Sequence, residues 1–346
     1  MRAAVLTAKQ SIQTIDHQPT ITLSETGVKV RIGAGGICGS DLHYFHHYKM
    51  GDFPVREAFI LGHEAAGIVE EIGPRVNNIA VGDTVVINPS HPCQSCEYCL
   101  KGNQLLCNEM RFLGSSRKFP HIQGMFSEIF VTDQRQCFKM PPGLSLNIAA
   151  FAEPLAVALH AINQAGSLLG ANILISGSGP IGALVLLSAK LAGAASVTMT
   201  DIRDGPLTIV NELGASKILN VSSGASELIE KANPRGSFDI AFDASGSEAA
   251  VLTAIKSLRP GGSLIQIGTF AKPNISIPSD QLMVKELTMK SSFRCDKEFS
   301  WAVDYLAKGR IDVMPLLTHT FPMEDANEAF LTASDREKAM KVHLIF

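Results

Sequence analysis

Residues 172–193, NILISGSGPIGALVLLSAKLAG, combine a strand, a turn and a helix, and this combination decides the fold. NILIS is a short apolar run typical of a buried strand, and ALVLLSAKLAG has the apolar spacing of a helix. Between them Gly177, Gly179 and Gly182 stand in G-x-G-x-x-G order, with Pro180 and Ile181 inside the motif. Glycines permit a tight turn and the close approach of a pyrophosphate to the positive N-terminal end of a helix. The stretch therefore predicts a dinucleotide-binding turn.

The next strand candidate, SVTMTD, ends on an acidic residue. Asp201 lies about 20 residues beyond the glycines, where an acid hydrogen-bonds the hydroxyls of the adenosine ribose. Its negative charge repels a 2′-phosphate, so we expect NAD rather than NADP. Arg203 keeps NADP as the alternative, because a guanidinium group accommodates a phosphate.

The alternation of strand and helix continues toward the C-terminus. Further strand candidates are KILN, FDIAFDASG and SLIQIGTF, separated by helix candidates such as SEAAVLTAIKSL. Strands that alternate with helices predict a doubly wound parallel sheet. We therefore expect residues 147–289 to form a dinucleotide-binding domain of the α/β class.

The first 146 residues differ from the rest in composition and in the pattern of their apolar residues. They are rich in Gly and Pro and contain short β-like runs such as GVKVRIGAGG, AAGIVEEIG and GDTVVINP. Short strands separated by turn residues predict an irregular β domain over 1–146. The closing MKVHLIF is predicted to be a strand that returns to this domain, so residues 290–346 would complete it.

The composition limits the classes of function. The 346 residues, of which 46% are hydrophobic and 18% charged, suffice for two packed domains. A net charge of −3 offers no basic surplus for nucleic acid, so we expect no nucleic-acid partner. The N-terminal apolar run is too short for a secretory signal, and no uninterrupted apolar run reaches the ~18 residues of a membrane span. We expect a cytoplasmic protein without membrane attachment.

Four of the seven cysteines lie in residues 92–107, PCQSCEYCLKGNQLLC. Cys93, Cys96, Cys99 and Cys107 are spaced so that four thiolates can surround one tetrahedral Zn²⁺. A closed shell of four sulfur atoms has no open position for substrate. The loop therefore predicts a structural zinc site, with free thiols or disulfides as the alternative, and places the chemistry elsewhere.

Cys38 in GGICGSDLHYF and His63 in FILGHEAAG are possible ligands of a second metal. Their separation matches no local metal-binding spacing, so by themselves they do not predict a shared site. The longer motifs around them do. GICGSDLHY, LGHEAAGIV, the four-cysteine loop, FAEPLAVALHA and SGSGPIG occur in the order found in the zinc-dependent medium-chain alcohol and polyol dehydrogenases, which the chain resembles over essentially its whole length.

This resemblance implies a GroES-like β domain, a Rossmann domain and an active site in the cleft between them. It also implies two zinc ions per chain, a nicotinamide cofactor and a homodimer or homotetramer. Cys38 and His63 would bind the catalytic zinc. Glu153 of FAEPL would be the third ligand, directly or through water, with Glu64 as the competing candidate. Ser40 and His43 match a relay that carries the hydroxyl proton to solvent.

Other motifs, among them INPSHPC, FPHIQG and AMKVHLIF, resemble the members of the family that act on sugar acids and polyols. A sugar acid carries a carboxylate, and arginine pairs with a carboxylate through two hydrogen bonds. Arg111 and Arg294 are the candidates; Arg294 and Tyr44 also match positions that polyol enzymes use on substrate. We expect an oxidoreductase that acts on a sugar acid, with a polyol as the alternative substrate.

Two other classes remain open at this point. A nucleotide sensor without catalysis would need the glycine motif, but it would not need Cys38, Ser40, His63 and Glu153 together. A zinc ribbon that binds nucleic acid would need basic and aromatic residues around the cysteines, and HPCQSCEYCLKGN has one lysine.

Overall fold

The computed structural model describes residues 1–16, 22–223, 235–271 and 274–346. The chain divides into two compact units, each with its own core. The first unit consists of Met1–Glu153, Phe299–Asp335 and Lys341–Phe346, and the second of Pro154–Glu298 and Arg336–Met340.

The chain up to residue 149 contains mostly short strands. They are β1 (Arg2–Ala8), β2 (Ser11–Asp16), β3 (Gly27–Gly36), β4 (Lys49–Met50), β5 (Phe53–Pro54), β6 (Phe59–Ile60), β7 (Glu64–Ile72), β8 (Thr84–Ile87), β9 (Ser90–His91), β10 (Arg111–Phe112), β11 (Ile129–Asp133) and β12 (Cys137–Lys139). The helices are α1 (Gly39–His47), α2 (Glu97–Leu100) and α3 (Leu146–Ala149), with one-turn 3₁₀ helices at Gln104–Leu106 and Gln134–Gln136.

Strands and helices then alternate, as the sequence predicts. They are α4 (Ala152–Ala165), β13 (Asn172–Ser176), α5 (Pro180–Leu191), β14 (Ser196–Asp201), α6 (Asp204–Glu212), β15 (Lys217–Asn220), β16 (Phe238–Asp243), α7 (Glu248–Ser257), β17 (Leu258–Gln266), α8 (Ser279–Val284) and β18 (Thr288–Ser291). The six strands form one parallel sheet in the order β15-β14-β13-β16-β17-β18. This is the strand order of a Rossmann domain.

The last part of the chain returns to the first unit. Its elements are α9 (Glu298–Ala307), β19 (Leu317–Pro322), α10 (Ala326–Ser334) and β20 (Lys341–Ile345), with 3₁₀ helices at Met314–Leu316 and Met323–Asp325. The predicted returning strand is β20, which pairs with β3 inside the sheet β12-β8-β7-β3-β20-β19, and β11 also pairs with β3. The prediction of a returning strand is confirmed.

The contacts within the structure place both boundaries between the two units later in the chain than the predicted positions, 146 and 290. Helix α3 packs against β3, β7 and β8, so residues just after 146 belong with the first unit. Strand β18 pairs with β17 in the parallel sheet, so the second unit extends beyond 289. Residues 336–340 also group with the second unit, where the Gly205 N–H donates to Glu337 Oε1 at 2.8 Å.

Each unit has an apolar core. In the first unit, Val30, Val85 and Ile87 are among the fully buried residues that fill the space beneath the sheet. In the second, Leu174 of β13 and Val251 of α7 belong to the corresponding cluster. The stretch Leu146–Ala165 is long and apolar enough to cross a membrane, but 67% of its most apolar window is buried inside the structure, as in a helix of a protein core.

Candidate metal centres and nucleotide site

The register of three strands brings together residues that are far apart in sequence. Gly36 at the end of β3 lies opposite Glu64 at the start of β7, and on its other side opposite His343 of β20. Cys38 follows β3 and His63 precedes β7, so this antiparallel pairing carries both residues to the same edge of the sheet. The ligand atoms of Cys38, His63 and Glu64 all lie within 4.8 Å of one another.

Asp41 links the two predicted zinc ligands. Its fully buried carboxylate accepts the backbone N–H of Cys38 at 3.0 Å through Oδ2. Its Oδ1 faces Nδ1 of His63 at 3.5 Å. A carboxylate at one imidazole nitrogen leaves the other nitrogen for a metal, and this arrangement is the usual second partner of a metal-bound histidine. The pair therefore orients Nε2 of His63 as a ligand.

Glu64 forms an ion pair with Lys341, the first residue of β20, and both side chains are buried. Lys341 also donates to the Ile37 carbonyl oxygen at 3.1 Å. Burial lowers the pKa of Lys341, but the charges of Glu64 and Cys38 more than offset this, so the pKa is raised above its usual value. The lysine therefore stays charged and holds the carboxylate of Glu64.

The site as a whole favours positive charge. Burial lowers the pKa of His63, but Asp41, Cys38 and Glu153 more than offset it and raise the pKa well above its usual value. Glu153, buried at the start of α4, thus lies near enough for its charge to act on His63. A thiol, an imidazole and carboxylates around one buried point form a donor set that fits zinc.

The two predicted relay residues lie on α1, three residues apart and so on one helix face. Ser40 Oγ lies 3.4 Å from Nε2 of His63, beside the predicted metal ligand. His43 packs against His47 with ring centroids 4.6 Å apart. Burial and the neighbouring charges of His47 and Lys49 lower the pKa of His43, so its imidazole is neutral at neutral pH.

The four cysteines of the loop form the second cluster, with all four sulfur atoms within 4.8 Å of one another. Sγ of Cys93 and Sγ of Cys99 are 4.0 Å apart, close to the ~3.8 Å between two sulfurs of a tetrahedral zinc site with Zn–S bonds of ~2.3 Å. Backbone N–H groups point at the sulfurs: that of Cys96 donates to Cys93 at 3.3 Å, and that of Cys93 to Cys107 at 3.2 Å.

The thiols of this loop differ in their proton affinity. The Ser95 hydroxyl and backbone amides lower the pKa of Cys93 to about 6, whereas burial raises the pKa of Cys99 to about 12. A buried thiolate at Cys99 needs a cation beside it. None of the seven cysteines is joined to another by a disulfide in the structure. The loop fits a structural zinc ion.

In the second unit the glycine motif forms the turn between β13 and α5. Gly177 has a φ of 94°, and a Cβ there would lie 2.8 Å from the Ser245 nitrogen. A Cβ on Gly182 would overlap the Gly177 carbonyl oxygen, so both positions require glycine. A Cβ on Gly179 would meet nothing within 4 Å, which leaves open space before the N-terminus of α5, whose first residue is Pro180. This open space at the N-terminus of α5 fits a pyrophosphate.

Asp201 ends β14 and ties the glycine turn in place. Its Oδ2 accepts the N–H of Ser178 at 2.7 Å, and its Oδ1 accepts those of Ile202 at 2.7 Å and Arg203 at 3.1 Å. Because each carboxylate oxygen accepts two hydrogen bonds, Oδ2 retains one position for a ribose hydroxyl. Arg203 is the residue before α6.

The predicted substrate residues have different surroundings in the structure. Tyr44 is buried, and its hydroxyl accepts the Ser116 N–H at 3.0 Å. Arg111 is exposed and lies opposite His91 in the β9–β10 pair, whereas the next residue, Phe112, packs on His63 with ring centroids 5.4 Å apart. Successive residues of a strand point to opposite faces, so Arg111 points away from the metal ligands.

Arg294 belongs to the second unit and has a φ of 55°. Its guanidinium lies 4.8 Å from the centre of the Phe293 ring. The sequence analysis missed Asp41, Lys341 and Phe112. A signal existed for two of them: Asp41 stands at the third position of a helix that begins after Cys38, and Lys341 is a lysine at the start of a mostly apolar strand, KVHLI.

Comparison with known families covers most of both units. Residues 24–142 match the family described as alcohol dehydrogenase GroES-like domain, and residues 180–308 match the family described as zinc-binding dehydrogenase. The expectation of a GroES-like domain followed by a Rossmann domain is confirmed.

Individual relatives are similar to this chain over all or nearly all of its length. An L-idonate 5-dehydrogenase (NAD(P)(+)) of Escherichia coli K12 is 37% identical over 345 residues, which cover 100% of this chain and 98% of the relative. The crystal structure of L-idonate 5-dehydrogenase from that organism superposes with a TM-score of 0.94 at 37% identity, over 100% of this chain and 98% of the other. A sorbitol dehydrogenase of Arabidopsis thaliana is 33% identical over 340 residues, 96% of this chain and 92% of the relative.

The buried ion pair yields a stability prediction. Lys341→Met leaves the carboxylate of Glu64 buried without its cation, so we expect the free energy of unfolding to fall by about 3–5 kcal/mol. The double variant with Glu64→Gln removes the orphaned charge and should recover part of that loss. Urea unfolding of the zinc-loaded proteins measures both values. A loss below about 1 kcal/mol in the single variant would contradict the role of the pair.

The glycine turn yields a paired prediction. Gly182→Ala forces the backbone apart and should lower both the melting temperature and the affinity for NADH. Gly179→Ala should leave the melting temperature unchanged but weaken NADH binding at least about tenfold, because its methyl group enters the phosphate cradle. Thermal unfolding and NADH fluorescence titration test the pair. Wild-type NADH affinity in Gly179→Ala would refute the placement of the pyrophosphate.

Proposed function

Because this chain belongs to the zinc-binding alcohol dehydrogenase family, we propose that it is an L-idonate 5-dehydrogenase. The reaction interconverts L-idonate and 5-keto-D-gluconate by hydride transfer with a nicotinamide cofactor. The observation that carries the proposal is the likeness to the Escherichia coli enzyme, which extends over the full chain at 37% identity. The clustering of Cys38 and His63 supports zinc-dependent chemistry of the kind that this family performs.

The roles of the first unit follow from its contacts. Cys38 and His63 would hold the catalytic zinc, which would supply Lewis acidity that lowers the pKa of a substrate hydroxyl. Ser40 Oγ, beside His63, would accept the hydroxyl proton while it passes its own hydroxyl proton on. His43, neutral and one helical turn further along the same face, takes the proton from Ser40 and passes it to solvent.

We assign the third zinc position to Glu153, directly or through water. Glu64 is close to Cys38 and His63, but its carboxylate is paired with the buried Lys341, whose charge competes with a metal ion for the same oxygen. Glu153 carries a buried charge that acts on both His63 and Lys341. Glu64 remains the competing ligand.

The second unit binds the cofactor, for which we propose NAD in preference to NADP. Gly177, Gly179 and Gly182 leave room for the pyrophosphate at the start of α5. Asp201 retains an acceptor position for a ribose hydroxyl, and its negative charge opposes a 2′-phosphate. Arg203 stands two residues beyond Asp201 and favours some use of NADP.

We propose a homo-oligomer, a dimer or a tetramer. Among the described strands, β18 lies at the edge of the parallel sheet, and all four of its residues are exposed. Met283 and Val284 of the preceding helix are also exposed. An edge strand presents unpaired N–H and C=O groups that a second copy can extend. We further propose a cytoplasmic enzyme without nucleic-acid or membrane partners; the seven free cysteines agree with a reducing compartment.

The proposed function predicts substrate and cofactor preference. NADH formation by the zinc-loaded protein should proceed with a kcat/KM at least about tenfold higher for L-idonate than for sorbitol, and higher with NAD⁺ than with NADP⁺. His63→Gln, assayed in parallel, should remove activity with both substrates. A preference for sorbitol would move the assignment to a polyol dehydrogenase, the alternative that the 33% identical sorbitol dehydrogenase supports.

The two metal clusters predict about two zinc ions per chain by mass spectrometry of the metal. Cys99→Ser should lower the content to about one ion and reduce the melting temperature, because the loop loses its cross-link. His63→Gln should also bind about one ion while retaining the wild-type melting temperature more closely. Cys137→Ser, a buried free cysteine outside both clusters, is the control. One zinc ion in the wild-type protein would contradict the proposal.

A further inference from the structure

We propose that Arg117 binds the carboxylate of the sugar-acid substrate and thereby sets the preference for sugar acids over neutral polyols. This inference rests on the proposed function. It replaces Arg111, which the sequence favoured for this role. The reasons lie in the segment 111–117, which runs from the predicted zinc ligand His63 to the helix that follows Cys38.

Contacts of this segment reach the chain around the predicted zinc ligands, and the strand alternation of Arg111–Phe112 ends at the turn that contains Gly114. The Phe112 ring packs on the His63 ring. Gly114 has a φ of 66°, and a Cβ there would lie 3.0 Å from the Gly62 carbonyl oxygen, so its backbone lies against the chain just before His63. Ser116 donates its N–H to the hydroxyl of Tyr44 on α1. The segment therefore forms one wall beside the predicted zinc ligands.

Arg111 lies at the start of the wall but on its other face. It is the cross-strand partner of His91. A guanidinium on that face is separated from the metal ligands by the strand itself.

Arg117 lies at the end of the wall next to Ser116. Its side chain is exposed, and the guanidinium lies 5.2 Å from the centre of the Phe53 ring. Stacking on an aromatic face leaves the N–H groups at the guanidinium edge available, and these bind a carboxylate through two parallel hydrogen bonds. Phe53 therefore holds the cation in place without consuming its donors.

Among the described residues, Arg117 has no ion-pair partner, whereas its neighbour Lys118 pairs with Glu109. The charge of Arg117 is thus available for a ligand. The carboxylate of L-idonate is C1, four carbon–carbon bonds from the reacting C5. The carboxylate therefore lies at a distance from the zinc ligands, and Arg117 offers a cation at the far end of the segment, on Phe53.

The test compares L-idonate with L-iditol, which has CH₂OH in place of the carboxylate and is otherwise identical. Arg117→Ala should raise the KM for L-idonate by about 10- to 100-fold, the loss expected for a charge-assisted pair, and leave kcat and the KM for L-iditol within about twofold. Arg117→Lys should recover part of the affinity, because it restores the charge without the paired geometry. Unchanged melting temperatures show that the exposed substitution leaves the fold intact.

The matched control is Arg56→Ala, because Arg56 is likewise an exposed arginine over a phenylalanine, 5.7 Å from the centre of the Phe119 ring. It should change neither substrate's KM. Equal increases for both substrates in Arg117→Ala, or a larger increase for L-idonate in Arg56→Ala or Arg111→Ala, would overturn the assignment while activity on L-idonate still supports the proposed function. A wild-type protein that oxidises L-iditol but not L-idonate would overturn both.

Discussion

The buried ion pair between Glu64 and Lys341 is the interaction on which the geometry of the first unit's candidate metal site depends. A single buried charge costs several kcal/mol, so the starts of β7 and β20 are stable only where the two side chains meet. Both strands flank the end of β3, which leads directly into Cys38. The pairing that neutralises the two charges therefore also brings Cys38 beside His63, and it keeps the carboxylate of Glu64 paired with a cation.

In each candidate binding site, one carboxylate contacts several of the residues that form the site. In the first unit Asp41 joins the backbone of Cys38 to the imidazole of His63. In the second unit Asp201 accepts backbone N–H groups from the glycine turn and from the start of the next connection. Both acids are short side chains at strand–helix connections, where several backbone N–H groups lack partners within the secondary structure. The binding residues are thus held before any ligand arrives, which reduces the ordering that binding requires.

The segment 111–117 gives two similar residues different surroundings near the predicted zinc ligands. Arg111 and Arg117 have the same chemistry, and both are exposed. Phe112, between them, packs on His63 and so determines which face of the segment turns toward the metal ligands. The alternation within β10 turns Arg111 away from the metal ligands. It ends at the turn that contains Gly114, whose φ is 66°, and beyond that turn Arg117 lies over the Phe53 ring.

The sequence by itself determined the features that depend on local spacing. The glycine motif with Asp201, the four-cysteine loop and the alternation of strands and helices each lie within a short stretch, and the family motifs predict Cys38, His63 and Glu153 as zinc ligands. Only the tertiary structure decided how distant residues meet: the pairing of Lys341 with Glu64, the contact of Asp41 with His63, and the opposite faces of Arg111 and Phe112. The physical reason is that strand register and side-chain direction result from the packing of the whole sheet, which no short stretch of sequence specifies.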